Sequence, residues 1–223
     1  AFVGGLLLER ILIRPVENAP VLTIVIVCIE LLVILNSVPG WVYSYIQKPF
    51  PSPFPAKPIQ VGNIYFGAHD IGALGVTLLV LAGLYIFFRF TTLGLAMRAA
   101  AQNPVSSRVC GIRVGWMLAV GWGLAALVGA VAGMMVAPIV FLDPNMMAGI
   151  LIYAFASATL GGFTSPGGAV LGGLIVGVIE NLVGTYVKFI GTELKLTVAL
   201  ALILIVLVFR PSGLFGRAVV HRV

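Results

Sequence analysis

Residues 71–114 read IGALGVTLLVLAGLYIFFRFTTLGLAMRAAAQNPVSSRVCGIRV. The first part is an apolar run long enough to cross a bilayer, which takes about 20 residues. At Arg89 it gives way to an alanine-rich stretch that carries Arg98, Arg108 and Arg113 and no acid. Apolar sequence then resumes as GWMLAVGWGLAALVGAVAGMM over 115–135. The middle stretch is too short and too polar to span. GLAMRAAAQN has high helix propensity, and Pro104 disfavours helical geometry at Asn103. A second short turn, PVSSRVCGI, follows and ends at Gly111. Alanine makes a thin helix and Arg98 an oriented cation. Two readings stand open: a surface helix attracted to anionic lipid, or a rigid knob gripped by a partner protein.

The rest of the chain repeats this alternation. Of its 223 residues, 61% are hydrophobic and 9% charged, and the mean hydropathy is +1.15. A soluble domain carries about 25% charged residues, so the class is integral membrane protein. The net charge of +6 sits in short loops and reads as a topology signal rather than a nucleic-acid surface. Cys28 lies in an apolar run and Cys110 in the basic stretch; neither has metal-site spacing. The opening AFVGGLLLER reads as the end of a helix whose earlier part is absent.

Apolar segments at 20–38, 70–89, 115–137, 146–162, 167–187 and 194–209 predict an all-α polytopic transmembrane bundle. It has about six full spans after a truncated one ending near Leu8. Lipid-facing backbone must be helical, and no barrel-like alternation is present. With the first loop cytoplasmic, all nine arginines fall on the cytoplasmic side and all four lysines opposite, as the positive-inside rule asks. The chain thus reads as one transmembrane domain over 1–223 in the inner (plasma) membrane. Residues 91–114 form a cytoplasmic loop, the C-terminus is cytoplasmic, and 39–69 is a Pro-rich periplasmic loop. Prolines forbid a long helix in that loop, which reads as a rigid connector or as a docking surface for an external partner. The pairs Gly129/Gly133, Gly168/Gly172 and Gly173/Gly177 allow close helix approach, read as packing within one chain. GGFTSPGG over 161–168 is a helix break, carried by Gly161, Gly162, Pro166, Gly167 and Gly168.

Catalytic patterns do not appear. His69 and His221 have no Cys or second His at ligand spacing, Asp70 is a lone acid, and nucleophile-elbow, zinc-protease and paired-carboxylate patterns are missing. None of the four lysines follows a glycine, which excludes a Walker A loop. The chain reads as a non-enzyme without cofactor or metal. Two acids stand inside apolar spans, Glu30 and Glu180, the latter with Asn181 and Thr185 nearby. An ionised carboxylate at the bilayer centre costs at least about 2.5–3.5 kcal/mol. Each therefore either lines a solute route or hydrogen-bonds a neighbouring helix.

GGLLLERILIRPVENAP, TTLGLAMRAAAQNPVSSRVCGI, FASATLGGFTSPGGAVLGGLIVGVIENLVGTYV and ALILIVLVFRPSGLFGR, in that order, resemble the branched-chain amino acid permeases of ABC importers, of the LivH type. The resemblance covers nearly the whole chain. It implies a permease subunit working by alternating access; on the solute-route reading of the intramembrane acids, Glu180, Asn181 and Glu30 line the translocation pathway. The resemblance also implies a coupling helix in 91–114 that docks on a separate ATP-binding cassette subunit. That element maps onto Gly94, Arg98, Ala99 and Ala100, with Ala101, Asn103, Pro104 and Gly111 following; Arg98 and Ala100 are expected to touch the ATPase. The family often has an acid near the Asn-Pro position, where this chain has Val105, Ser106 and Ser107. Further implied partners are a second permease chain, a periplasmic substrate-binding protein and membrane lipid, with no nucleic acid. The rival reading is an ion-coupled secondary transporter, which wants paired broken spans, or a permease for another small solute such as urea or amides.

Overall fold

The computed structural model describes residues 1–17, 19–55, 59–61, 64–163, 165–186, 195–210 and 213–216. Lys57, Lys188, Arg217, His221 and Arg222, which entered the orientation and metal-site arguments, lie outside the described residues. Two compact units divide the chain, Ala1–Pro144 and Asn145–Val223.

The first unit holds six helices: α1 (Phe2–Leu8), α2 (Val21–Tyr43), α3 (Ala68–Phe90), α4 (Thr92–Gln102), α5 (Pro104–Val109) and α6 (Val114–Val140). Between α1 and α2 the backbone loosens to a π-helical turn at Glu9–Ile13 and tightens to a 3-10 turn at Arg14–Val16. α1 lies directly on α6. A Cβ added at Gly5 would stand 2.6 Å from the Trp122 carbonyl oxygen, and one at Gly123 would stand 2.9 Å from the Phe2 ring. Glycine at both positions is what lets the two backbones meet.

The prolines of the 39–69 segment do not stop α2 where expected. α2 runs to Tyr43 with Pro39 inside it, and α6 likewise runs to Val140 over Pro138. Proline removes one N–H, and long apolar helices tolerate it where neighbouring groups make good the loss. Each of these helices ends at a left-handed residue, Ser44 at φ 67° and Phe141 at φ 64°. The two exits are then tied together. Lys48 N–H donates to the Leu142 carbonyl at 3.1 Å and Leu142 N–H returns to Lys48 at 2.8 Å. Lys48 Nζ donates to the last carbonyl of α2, Tyr43, at 3.2 Å. A short antiparallel hairpin, β1 (Ile59–Val61) with β2 (Ile64–Phe66), pairs Ile59 with Phe66 and Val61 with Ile64.

His69 fastens the Pro-rich segment to α6. Its Nε2 is 2.8 Å from the Met135 carbonyl, which can only accept, so Nε2 carries the proton. Nδ1 then accepts from the Ser52 hydroxyl at 2.8 Å.

The second unit is α7 (Met147–Gly161), α8 (Pro166–Tyr186) and α9 (Lys195–Phe209). Ala156, Leu160, Val176 and Val206 form its core. The predicted break is real: α7 ends at Gly161, Gly162 takes φ 98°, and Pro166 opens α8. Ser165 caps α8, its hydroxyl accepting from Gly168 N–H at 3.0 Å. Gly168 and Gly172 press on α7. A Cβ at Gly172 would collide with the Ser157 carbonyl and come within 2.8 Å of the Gly161 nitrogen. That glycine pair packs within the chain, as expected, whereas Gly129 and Gly177 face open space.

The chain beyond α9 returns to the end of α7. Leu214 N–H donates to Leu160 at 2.8 Å and Phe215 N–H to Gly161 at 3.2 Å. These carbonyls lie in the last turn of a helix, where no intrahelical donor remains. Gly213, at φ 76°, makes the approach, with Gly162 Cα 2.5 Å from where its Cβ would be.

Each of the six apolar segments expected is a helix. Four of them are long and apolar enough to cross a membrane among the described residues, Val21–Tyr43, Ala68–Phe90, Val114–Val140 and Pro166–Tyr186. α7 and α9 are apolar but have 15 residues each, about 22 Å of helix against a hydrocarbon core of about 30 Å. Among the described residues, then, four of the six expected spans are long helices and two are shorter ones.

The glycine contacts make a prediction. Gly172→Ala overfills the α7–α8 contact and destabilises by about 1–3 kcal/mol, read as a lower apparent Tm in detergent. Gly177→Ala on the same helix should leave Tm unchanged or slightly raised. Equal melting of the two variants would refute this packing.

Candidate functional site

The basic stretch folds as two short helices whose joints are fully bonded. Thr91 serves both helices that meet at it. Its hydroxyl donates to the Phe87 carbonyl at the end of α3 at 2.6 Å and accepts from Gly94 N–H in the first turn of α4 at 3.0 Å. Gly94 is buried because α4 leaves α3 at backbone contact; its Cβ would stand 2.7 Å from Phe88 Cα. Asn103 repeats the arrangement at the next joint. Its N–H closes α4 onto Ala99 at 3.1 Å, and its side-chain oxygen caps α5 by accepting from Ser106 N–H at 3.0 Å. Pro104 occupies the first position of α5, where its missing N–H costs nothing. α5 ends in a Schellman motif: Ile112 N–H reaches Ser107, Gly111 N–H reaches Arg108, each at 3.0 Å, and Gly111 takes φ 82°. Only glycine adopts that conformation without penalty.

One face of this element is anchored. Ala100 packs with Val114 and Met117 of α6, and Ala96, Met97 and Ile112 close around them. The other face is open. Arg98, Ala101, Asn103 and Pro104 are exposed, and Leu95, Val105 and Val109 present apolar side chains outward, Val109 at 86% exposure. Ala99 is half-buried. The expected partner contacts therefore separate. Arg98 stands on the open face, whereas Ala100, 8% exposed, is taken up by packing on α6 and is not a surface contact.

The intramembrane acids separate as well. Glu180 is half-buried on α8 and accepts at 3.2 Å from the Tyr153 hydroxyl of α7. Thr185 does not join it, since its hydroxyl bonds the Asn181 carbonyl one turn back at 2.7 Å; the Asn181 side chain is exposed. Glu30 is exposed on α2, where Gly40 alone is buried among the described residues. Sequence reasoning missed Tyr153 and Thr91. Thr91 carried a signal, a hydroxyl at the N-cap position of a helix-forming stretch. Tyr153 carried none, because nothing local links it to residue 180. No group of three or more His, Cys, Asp or Glu gathers to hold a metal among the described residues.

Comparison with known proteins bears on what this geometry serves. The family model described as branched-chain amino acid transport system / permease component matches residues 1–207. The high-affinity branched-chain amino acid transport system permease protein LivH of Salmonella typhimurium is 32% identical, over 98% of this chain and 72% of the relative. LivH of Escherichia coli K12 is 31% identical over the same shares, and BraD of Pseudomonas aeruginosa 32%, over 98% and 72%. No solved structure matches significantly.

The separation of the two faces can be measured without a partner. Ala100→Glu forces a carboxylate into the α4–α6 contact, at a cost of several kcal/mol. It should cut the monodisperse fraction on size exclusion several-fold. Arg98→Glu should elute like the unmodified chain. Normal elution of Ala100→Glu would mean that this contact does not hold α4.

Proposed function

The chain belongs to the branched-chain amino acid transport permease family, and on that premise we propose that it is the membrane-spanning subunit of an ATP-driven importer for branched-chain or related amino acids. In this reading the chain does no chemistry. ATP is hydrolysed by cassette subunits on the cytoplasmic side, a second permease chain completes the path, and a periplasmic binding protein delivers the solute. Residues 91–114 and the C-terminus face the cytoplasm, the Pro-rich 39–69 segment faces outward, and both compact units form one permease domain. α7 and α9 are counted as the fifth and sixth spans.

One observation carries the coupling role: the double bonding of Thr91. A surface helix whose first turn shares its capping residue with the last turn of a long apolar helix cannot swing freely. Its other face is seated on α6 through Ala100. A push on the open face of Arg98, Leu95 and Val109 then moves α3 and α6 as rigid bodies, which is the motion alternating access needs. A free lipid-binding surface helix would have no use for such stiff joints.

Tyr153 and Glu180 give the pathway its polar feature. Their hydrogen bond joins α7 to α8, and a half-buried carboxylate that accepts from one hydroxyl still has acceptor capacity for a solute or water. Both roles are open to it, and substitution distinguishes them.

Two outcomes are expected in proteoliposomes holding the full importer. Arg98→Glu should lower co-purification of the cassette subunit and ATP-driven leucine uptake together, by about tenfold, a loss on the scale of a charge reversal at an interface. Wild-type uptake that persists with a Walker-defective cassette subunit and collapses with the ion gradient would instead favour a secondary transporter. Second, Glu180→Gln should reduce uptake at unchanged yield. Tyr153→Phe should cost about 1 kcal/mol of stability, the worth of one hydrogen bond. Full uptake by Glu180→Gln, with yield lost only in Glu180→Leu, would leave the carboxylate a packing role alone.

A further inference from the structure

A second cluster of charge lies away from the open face of α4. The π-helical turn brings Glu9 and Arg10 to the start of α6, and the 3-10 turn adds Arg14. Arg108 from the last turn of α5 and Arg113, the N-cap residue of α6, complete the wall. Together they line an open cavity of about 650 Å³. Four guanidinium groups thus face one carboxylate. Two of them are held in place. Arg10 stacks on the Trp116 ring at 5.8 Å, and the Arg14 guanidinium lies 3.4 Å from where a Cβ of Gly115 would be.

Three further observations specify what the cavity lacks. α6 begins with no side-chain cap and no acid in its first turn, so its N-terminal dipole and N–H groups add to the positive field. Glu9 is 2% exposed, yet its Oε2 has no hydrogen-bond partner. A buried acceptor left unpaired is costly, and Glu9 is among the residues that line the cavity. Beside the charges the Trp116 ring lines the cavity and is 41% exposed. The site therefore joins an anion cradle, an acceptor in want of a donor and a greasy margin.

We infer that this cavity binds the phosphate of a membrane phospholipid whose headgroup also carries a hydrogen-bond donor. The arginines and the start of α6 hold the phosphodiester, Arg being suited to bidentate phosphate contact. Glu9 receives the ammonium of an ethanolamine or the hydroxyl of a glycerol. The acyl chains run along Trp116. Basic pockets at the ends of membrane helices take lipid headgroups in this manner. The site does not depend on the transport reading, since lipid binding is measured on the chain alone.

The experiment is native mass spectrometry of the purified chain in detergent, with added phosphatidylethanolamine, phosphatidylglycerol or phosphatidylcholine. The first two should be retained over the third, which has phosphate but no donor. Arg14→Gln/Arg108→Gln should reduce retention about tenfold or more, the effect of losing two surface cations. Arg89→Gln, which does not line the cavity, should not. Glu9→Leu removes a buried acceptor that has no hydrogen-bond partner, which is costly to keep, and should abolish the preference over phosphatidylcholine while leaving binding. This variant decides the matter if the double variant fails to fold. Equal retention by wild type and Arg14→Gln/Arg108→Gln, or no headgroup preference in wild type, overturns the site. Equal thermal protection by inorganic phosphate alone overturns the lipid as source. Unchanged lipid retention by Arg14→Gln/Arg108→Gln, with the same variant failing to co-purify a co-expressed cassette subunit, would assign the cations to a protein contact and also overturn it.

Discussion

A helix in hydrocarbon satisfies its own backbone everywhere except at its ends. The ends therefore carry the structural decisions in this chain. Thr91 and Asn103 each serve two helices at once. Lys48 closes α2 with its ammonium and pairs its backbone with the exit of α6. Ser165 caps α8, and Leu214 and Phe215 close α7. The start of α6, like those of α2 and α7, has neither a side-chain cap nor an acid, and arginines line the cavity beside it.

Stiffness and accessibility follow from the same devices. α4 is thin because it is rich in alanine, and so Ala100 can seat on Val114 and Met117 while Arg98 points away. A bulkier helix would stand off from α6 and lose that grip. α7 and α8 approach closely because Gly168 and Gly172 leave room for the Ser157 and Gly161 backbone. That proximity sets Tyr153 within reach of Glu180. Packing of small residues thereby decides where the polar group of the second unit can bond.

Much of this was legible in the sequence. Hydrophobic runs located all six apolar helices to within a few residues at most ends, since a run of apolar side chains in a membrane has one backbone solution. Asn103–Pro104 and Gly111 marked the ends of α4 and α5 through local conformational preference. Pro39 and Pro138 misled, because proline near a helix end removes one bond and need not end the helix. Ala100 was read as a contact surface since helix periodicity over eleven residues of mostly small side chains does not reveal which face is covered. Glu9 and Tyr153 were invisible for a different reason. Their surroundings come from α6 and from α8, distant in sequence, and no local pattern encodes such encounters.

The bonds at the foot of α7 also impose an order in time. Leu160 and Gly161 receive their donors from residues made only after α9. A ribosome delivers the chain from its N-terminus, so the α7–α8 hairpin is made with those carbonyls open and waits for residues 214 and 215. Closure of α7 is thereby deferred until α9 has left the ribosome. A nascent chain stalled after α9 would hold α7, α8 and α9 and still lack this clasp.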